Sequence, residues 1–177
     1  MLGFRAVCEE TWGTEVYERT VALLPSSVRD ATAGLRPIEE WVDERYIIAW
    51  ADAVWRGPAR QDEALMRRFV AAMMAFGFGR VRRFFLQRMT PETLIPRTPG
   101  IWRQEHTTGI LEAESVRPGL VYVRLSDHPY LDSPLTRLAI AESIRFATSL
   151  TRAKNVTEKH ASYGRPLRVD IAWDGVD

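Results

Sequence analysis

The chain has 177 residues, 46% hydrophobic and 27% charged, a balance that suits a single domain, residues 1–177, with a sizeable core. With 24 Lys and Arg against 23 Asp and Glu, the formal net charge is +1, which excludes a global pull toward nucleic acid or a membrane surface. One cysteine, Cys8, excludes an internal disulfide framework, and no apolar run reaches the roughly 18 residues a membrane span needs.

The N-terminal stretch "MLGFRAVCEETWGTE" turns acidic too early for a signal peptide, so a reducing, cytoplasmic location is expected. "FRAVCEETWGTEVYERTVALLP" predicts one or two short helices, interrupted near Gly13 and ended before Pro25. One further turn of helix is expected around Ser27 to Ala31. "RPIEEWVDERYIIAWADAVW" predicts a helix with Pro37 at its first position and Ile38, Trp41, Val42, Tyr46, Ala49 and Val54 in helical period. "RGPARQD" ends it, and a long apolar helix is expected from Glu63 to Met89. Its "FGFGR" lacks the strand-to-helix context of a phosphate-binding loop and reads as a bend or a close packing point. Just beyond, Arg80, Arg82 and Arg83 stand beside Phe84 and Phe85, which suits a solvated helical face or the binding of an acidic partner.

Residues 1–90 thus form a helical part. The segment 91–107, with Pro91, Pro96, Pro99 and Gly100, is expected to be a connector. The part from 108 to 177 is mixed. "TGILEAESV" and "LVYVRLSD" predict an antiparallel hairpin about "RPG", with Val121, Val123 and Leu125 on the buried side. A helix from Ser133 or Pro134 to Arg152 follows. At about 100° per residue, Leu135, Ala139, Ile140, Ile144, Phe146, Ala147 and Leu150 fall on its dry half, and Arg137, Glu142, Arg145, Thr148, Ser149 and Arg152 on its wet half. "NVTEKHASY" and "PLRVDIAW" predict a second hairpin, with Leu167, Val169, Ile171 and Trp173 on one face. The closing strand is expected at a sheet edge, where it could pair with a partner or a second copy in a homodimer. The fold class expected is α+β, an N-terminal helical bundle packed on an antiparallel sheet of two hairpins separated by a helix.

The stretch "SDHPYLDSPL" carries the densest chemistry, yet its residues suit a strand end and a helix start. Asp132 or Ser133 serves as N-cap and Pro134 as the first helical residue. Cys8 shares an apolar helical face with Phe4 and Val7 and reads as core rather than as a nucleophile. His106, His128 and His160 lie on three elements without metal-ligand spacing, so no metal is expected. An enzyme would have to assemble Glu105, His106, Asp127 and His128 from distant segments; no catalytic residue is expected. Trp102, His106 and His128, with Arg80, Arg82 and Arg83, are the binding candidates.

The stretches "GFRAVCEETWG", "RPIEEWVDERY", "EALMRRFVAAMMAFGFGRVRRFF", "PGIWRQEHTTGILEAE", "GLVYVRLSDHP" and "GRPLRVDIAWDG" resemble the myxobacterial paralogous domain of unknown function. Such domains are similar in turn to a superfamily of haem-based nitric-oxide sensors, vinyl-reductase-type ligand-binding domains and core subunits of the vesicle-tethering complex TRAPP. The resemblance implies a bundle on a sheet with an apolar pocket between them, and a non-catalytic sensory or adaptor role in binding a protein partner or a small apolar ligand. The tethering subunits add a narrower alternative, a small-GTPase regulator or scaffold. Haem domains of this group use a proximal His and a Tyr-x-Ser-x-Arg motif for the propionates. Here His106, Tyr130, Ser133 and Arg137 occur in that order, but in "YLDSPLTR" the spacing departs from the motif, so the expectation is no haem and no other cofactor.

Overall fold

The computed structural model describes residues 2–33 and 42–176, which separate into two compact units, one ending at Gly77 and the other starting at Phe78. The first unit is helical: α1 (Leu2–Trp12), α2 (Thr14–Ala22), α3 (Ser26–Ala33), α4 (Glu44–Arg56) and the first part of α5 (Glu63–Leu86). The break between α1 and α2 falls at Gly13, as the sequence predicts, and α3 is longer than one turn. The expected entry at Pro37, with Ile38 and Trp41, lies outside the described residues. Helix α4 begins behind Asp43, whose carboxylate accepts the Arg45 N–H at 3.0 Å and so satisfies one of the unpaired donors of the first turn.

This unit's core is built from Phe4, Val7, Cys8, Trp50, Ala53, Val54, Met66 and Phe69, all buried. The Phe4 ring sits 5.6 Å from both Trp50 and Phe69, a spacing at which tilted aromatic pairs attract beyond their burial. Each fully buried large apolar side chain contributes about 1.5–3 kcal/mol. Cys8 is in this core, as expected.

The long helix expected from Glu63 to Met89 ends at Leu86 and is broken at Gly79, where the backbone takes φ +58° and ψ 177°, a conformation that a residue with a Cβ adopts only under strain. The "FGFGR" bend is real, and it falls where one unit gives way to the next.

The segment expected as a connector is made of short helical pieces: α6 (Pro91–Leu94), a 3-10 turn (Ile95–Arg97) and α7 (Thr98–Glu105). Each proline sits in a first turn, where no intrahelical acceptor is waiting for the missing N–H, so the prolines start short helices instead of preventing them.

Then follow β1 (Ile110–Arg117), β2 (Leu120–Ser126), α8 (Pro134–Ser149), β3 (Ala153–Lys154), β4 (Thr157–His160), β5 (Leu167–Ala172) and β6 (Gly175–Val176). The main sheet is antiparallel in the order β1-β2-β5-β4, and β3 pairs with β6 apart from it. Both predicted hairpins form. Val123 lies opposite Val169 and Leu125 opposite Leu167, so both alternating apolar sets fall on one buried face with Leu111, Leu131 and Trp173. The closing strand β5 is interior, not an edge: β2 takes one side of it and β4 the other. The edges are β1 and β4.

Helix α8 packs on β3, β4 and β5, and here the angular count misplaces residues. Arg137, Glu142 and Thr148, expected wet, are buried, while Ile140 and Ile144 are only partly buried against the core. A polar side chain can be buried where its hydrogen bonds are met, and these are. The Thr148 hydroxyl donates to the Ile144 carbonyl at 2.9 Å, and Glu142 receives two bonds from Arg145 at 2.6 and 2.8 Å.

Candidate functional site

The corner where β2 passes into α8 gathers most of the singled-out residues. Asp127 closes the strand with φ +53°, a left-handed turn that Asp tolerates better than most residues. His128 follows and is fully buried. Its Nδ1 accepts the Tyr130 N–H at 3.4 Å, and the two rings meet edge-on at 6.1 Å. Gly109, at φ +81°, backs it: a Cβ there would stand 3.2 Å from His128 and 2.9 Å from Leu125. Only a glycine lets the entry to β1 pass this close.

Trp102 completes the cluster from α7. Its ring lies 5.9 Å from His128 in an edge contact, and its Nε1–H donates to the Thr108 carbonyl at 3.0 Å. His106 ends α7 with extended backbone, donating its N–H to the Trp102 carbonyl at 2.8 Å. The His106 imidazole then stacks on the indole, with centroids 3.7 Å apart and planes within 7°. The binding candidates Trp102, His106 and His128, which the sequence places on separate elements, therefore form one contiguous aromatic and imidazole array. Their spacing along the chain carried no signal of this.

Of the other residues that the resemblance set beside a haem motif, Ser133 and Arg137 bond to the chain's own backbone. Ser133 is the N-cap of α8, its Oγ accepting the Thr136 N–H at 3.2 Å. Asp132, the other cap candidate, instead pairs with Arg165 at 2.6 and 3.0 Å, and this contact holds the Asp132 carboxyl below its usual pKa. Arg137, 1% exposed, donates to the carbonyls of Leu131 at 3.3 Å, Ala161 at 2.7 Å and Gly164 at 2.5 Å. Burial pulls the pKa of its guanidinium down, and Asp132 opposes that shift. Arg137 thus staples the first turn of α8 to the loop between β4 and β5.

Of the arginines on α5, Arg82 pairs with Glu105 of α7 at 3.1 Å. Among the described residues no group of three His, Cys, Asp or Glu side chains is placed to hold a metal ion. Among them, too, no helix is long and apolar enough to cross a membrane.

No protein-family model matches the chain, and no curated protein matches it. Solved structures do. An H-NOX structure from work on haem distortion is 12% identical, covers 99% of this chain and 93% of its own, and superposes with a TM-score of 0.69. A mutant H-NOX protein of K. algicida in its unliganded Fe(II) state is 7% identical, with coverages of 98% and 94% and a TM-score of 0.69. An oxygen-binding H-NOX domain related to soluble guanylate cyclases, solved as its oxygen complex, is 12% identical, with coverages of 98% and 93% and a TM-score of 0.65. At such identities the likeness establishes the fold: the chain is α+β and built as H-NOX domains are.

This corrects the expectation of no cofactor, because the proteins that share the fold are described with haem, Fe(II) or bound oxygen. In donor chemistry the second unit fits a haem iron at one point, the His106 imidazole, a side chain of the type that ligates such iron. It does not fit at another. The propionate grip carried over to Ser133 and Arg137 is absent, since both side chains are bound to the protein's own backbone.

Proposed function

We propose that the chain is a non-catalytic sensory domain of the cytoplasm that holds a small ligand and passes its occupancy to a protein partner. The observation that carries this reading is the likeness to H-NOX domains over 98–99% of the chain, together with an imidazole held rigidly at the end of α7. Haem is the ligand to test first. His106 would hold it, and the bound group would supply an iron centre able to take a diatomic gas.

The chain's own contribution is mechanical. The His106 ring is clamped by Trp102, and Trp102 is fixed at Thr108 and bears on His128. Any ligand that turns the His106 ring must move the indole. The indole in turn bears edge-on on the buried His128, whose ring meets that of Tyr130 in the turn that precedes α8. A close-packed chain of rings transmits such a shift because it has no slack.

The test is the absorption spectrum of protein purified from haem-replete cells. A Soret band is expected, and His106→Ala should remove it while keeping a cooperative unfolding transition. Absence of the band after haem titration, with native mass spectrometry showing bare polypeptide, would overturn the reading.

A further inference from the structure

The C-terminal part of α5 presents a face the sensory reading does not use. After the break at Gly79, residues 80–88 run "RVRRFFLQR", with four arginines and no acid. At about 100° per residue, Leu86 turns inward while Arg82 lies at the exposed margin. Leu86 is buried, and Arg82 is tied to Glu105 of α7, so the segment is anchored in its own unit. Val81, Phe84, Phe85 and Arg88, at positions i, i+3, i+4 and i+7, turn outward with Arg80 on their flank.

The outward side chains are well exposed: Val81 by 70%, Phe84 by 50% and Phe85 by 60%. Phe84 and Phe85 meet edge-on at 5.8 Å, and the Arg88 guanidinium lies 3.6 Å over the Phe84 ring. Two neighbouring phenylalanines exposed on a water-facing helix are a recognition feature rather than scattered surface apolarity.

We infer that this face seats the protein on an anionic lipid surface, with Val81, Phe84 and Phe85 entering the headgroup boundary and Arg80 and Arg88 meeting the lipid charge. Three observations favour this occupant. The face is a convex helix, which a yielding surface accepts without a preformed groove. Rings and guanidiniums share one side, with Arg88 stacked over the Phe84 ring, and a long arginine stem can keep its charge wet while its apolar neighbours bury. Finally, a second copy of the chain would bring the same arginines against themselves.

The inference stands apart from the sensory reading and uses none of its residues. Its test is co-sedimentation of the full chain with phosphatidylcholine vesicles, with and without phosphatidylglycerol. Binding is expected only with phosphatidylglycerol, and it should fall as salt is raised. Arg80→Glu with Arg88→Glu should weaken it at least about tenfold, and Phe84→Ser with Phe85→Ser should weaken it comparably. Arg80→Gln with Arg88→Gln, milder in its effect on folding, should give an intermediate loss. Absence of phosphatidylglycerol-dependent binding would overturn the proposal, as would binding that survives the Phe changes. Salt-resistant binding of a poly-glutamate peptide without vesicle binding would assign the face to an acidic protein instead. Phe-dependent self-association in sedimentation velocity would assign it to a second copy.

Discussion

The imidazole of His106 lies flat on the indole of Trp102, with centroids 3.7 Å apart, although the two residues belong to different backbone conformations: Trp102 is helical and His106 extended. The stack therefore fixes where α7 stops as well as how the ring faces. Removing either partner should cost the same contact once. A double-mutant cycle of Trp102→Ala and His106→Ala, read by denaturant unfolding, should give a coupling of about 0.5–1.5 kcal/mol. A coupling near zero would mean that the two rings do not hold each other.

Arg137 should behave as a structural residue. Arg137→Ala leaves the carbonyls of Leu131, Ala161 and Gly164 without their donor, and a hydrogen bond from a charged donor contributes about 1.5–3 kcal/mol. A loss of at least about 2 kcal/mol is expected by the same measure. Arg137→Lys should recover only part of it, because an ammonium lacks the planar fork that spans the separated acceptors. Full stability in the lysine variant would show that charge alone suffices.

Gly109→Ala tests the backing of His128. The new methyl would meet Leu125 at 2.9 Å and His128 at 3.2 Å, on a backbone at φ +81°. A destabilisation of about 1–3 kcal/mol is expected from the crowding and the left-handed backbone together. The NMR signals of the His128 ring should shift. Unchanged signals would place the strain elsewhere.

Acid should act on the Asp132–Arg165 pair in a defined direction. The Arg165 guanidinium lowers the Asp132 pKa in the folded state, so the pair stabilises the fold above the ordinary Asp range, near about 4. That stability disappears as pH falls through the lowered folded value. Arg165→Gln should therefore unfold more readily at neutral pH and match the parent in strong acid. Because the pair is exposed, the difference should be small and should shrink with salt. A gap that widens in acid would contradict the assignment.

Cys8 should be unreactive in the native protein. Burial raises its thiol pKa, and a hydrogen bond with Thr20 only partly offsets this. Labelling by a disulfide reagent at mildly alkaline pH should proceed at the rate of unfolding and become fast in denaturant. Rapid native labelling would mean that the α1 face is open.

What the sequence determined by itself is local. The alternation of Val121, Val123 and Leu125 placed one face of β2 in the core, the Ser133-Pro134 pair marked the start of α8, and Gly79 marked a bend. Each of these depends on neighbours within a few residues, where backbone preference and period act directly. What only the tertiary structure decided is whatever needs a second surface. Arg137 and Glu142 lie on the polar side of a helix counted alone, yet both are buried, Arg137 because the loop between β4 and β5 brings it carbonyl acceptors and Glu142 with its two bonds from Arg145. Residues 91–105 read only as a connector because proline opposes the middle of a helix, and no local signal showed that each proline would fall in the first turn of a short helix. The array of Trp102, His106 and His128 exists because the passage through Gly109 folds α7 back beside the end of β2, a contact between segments whose separation along the chain carries no period to read.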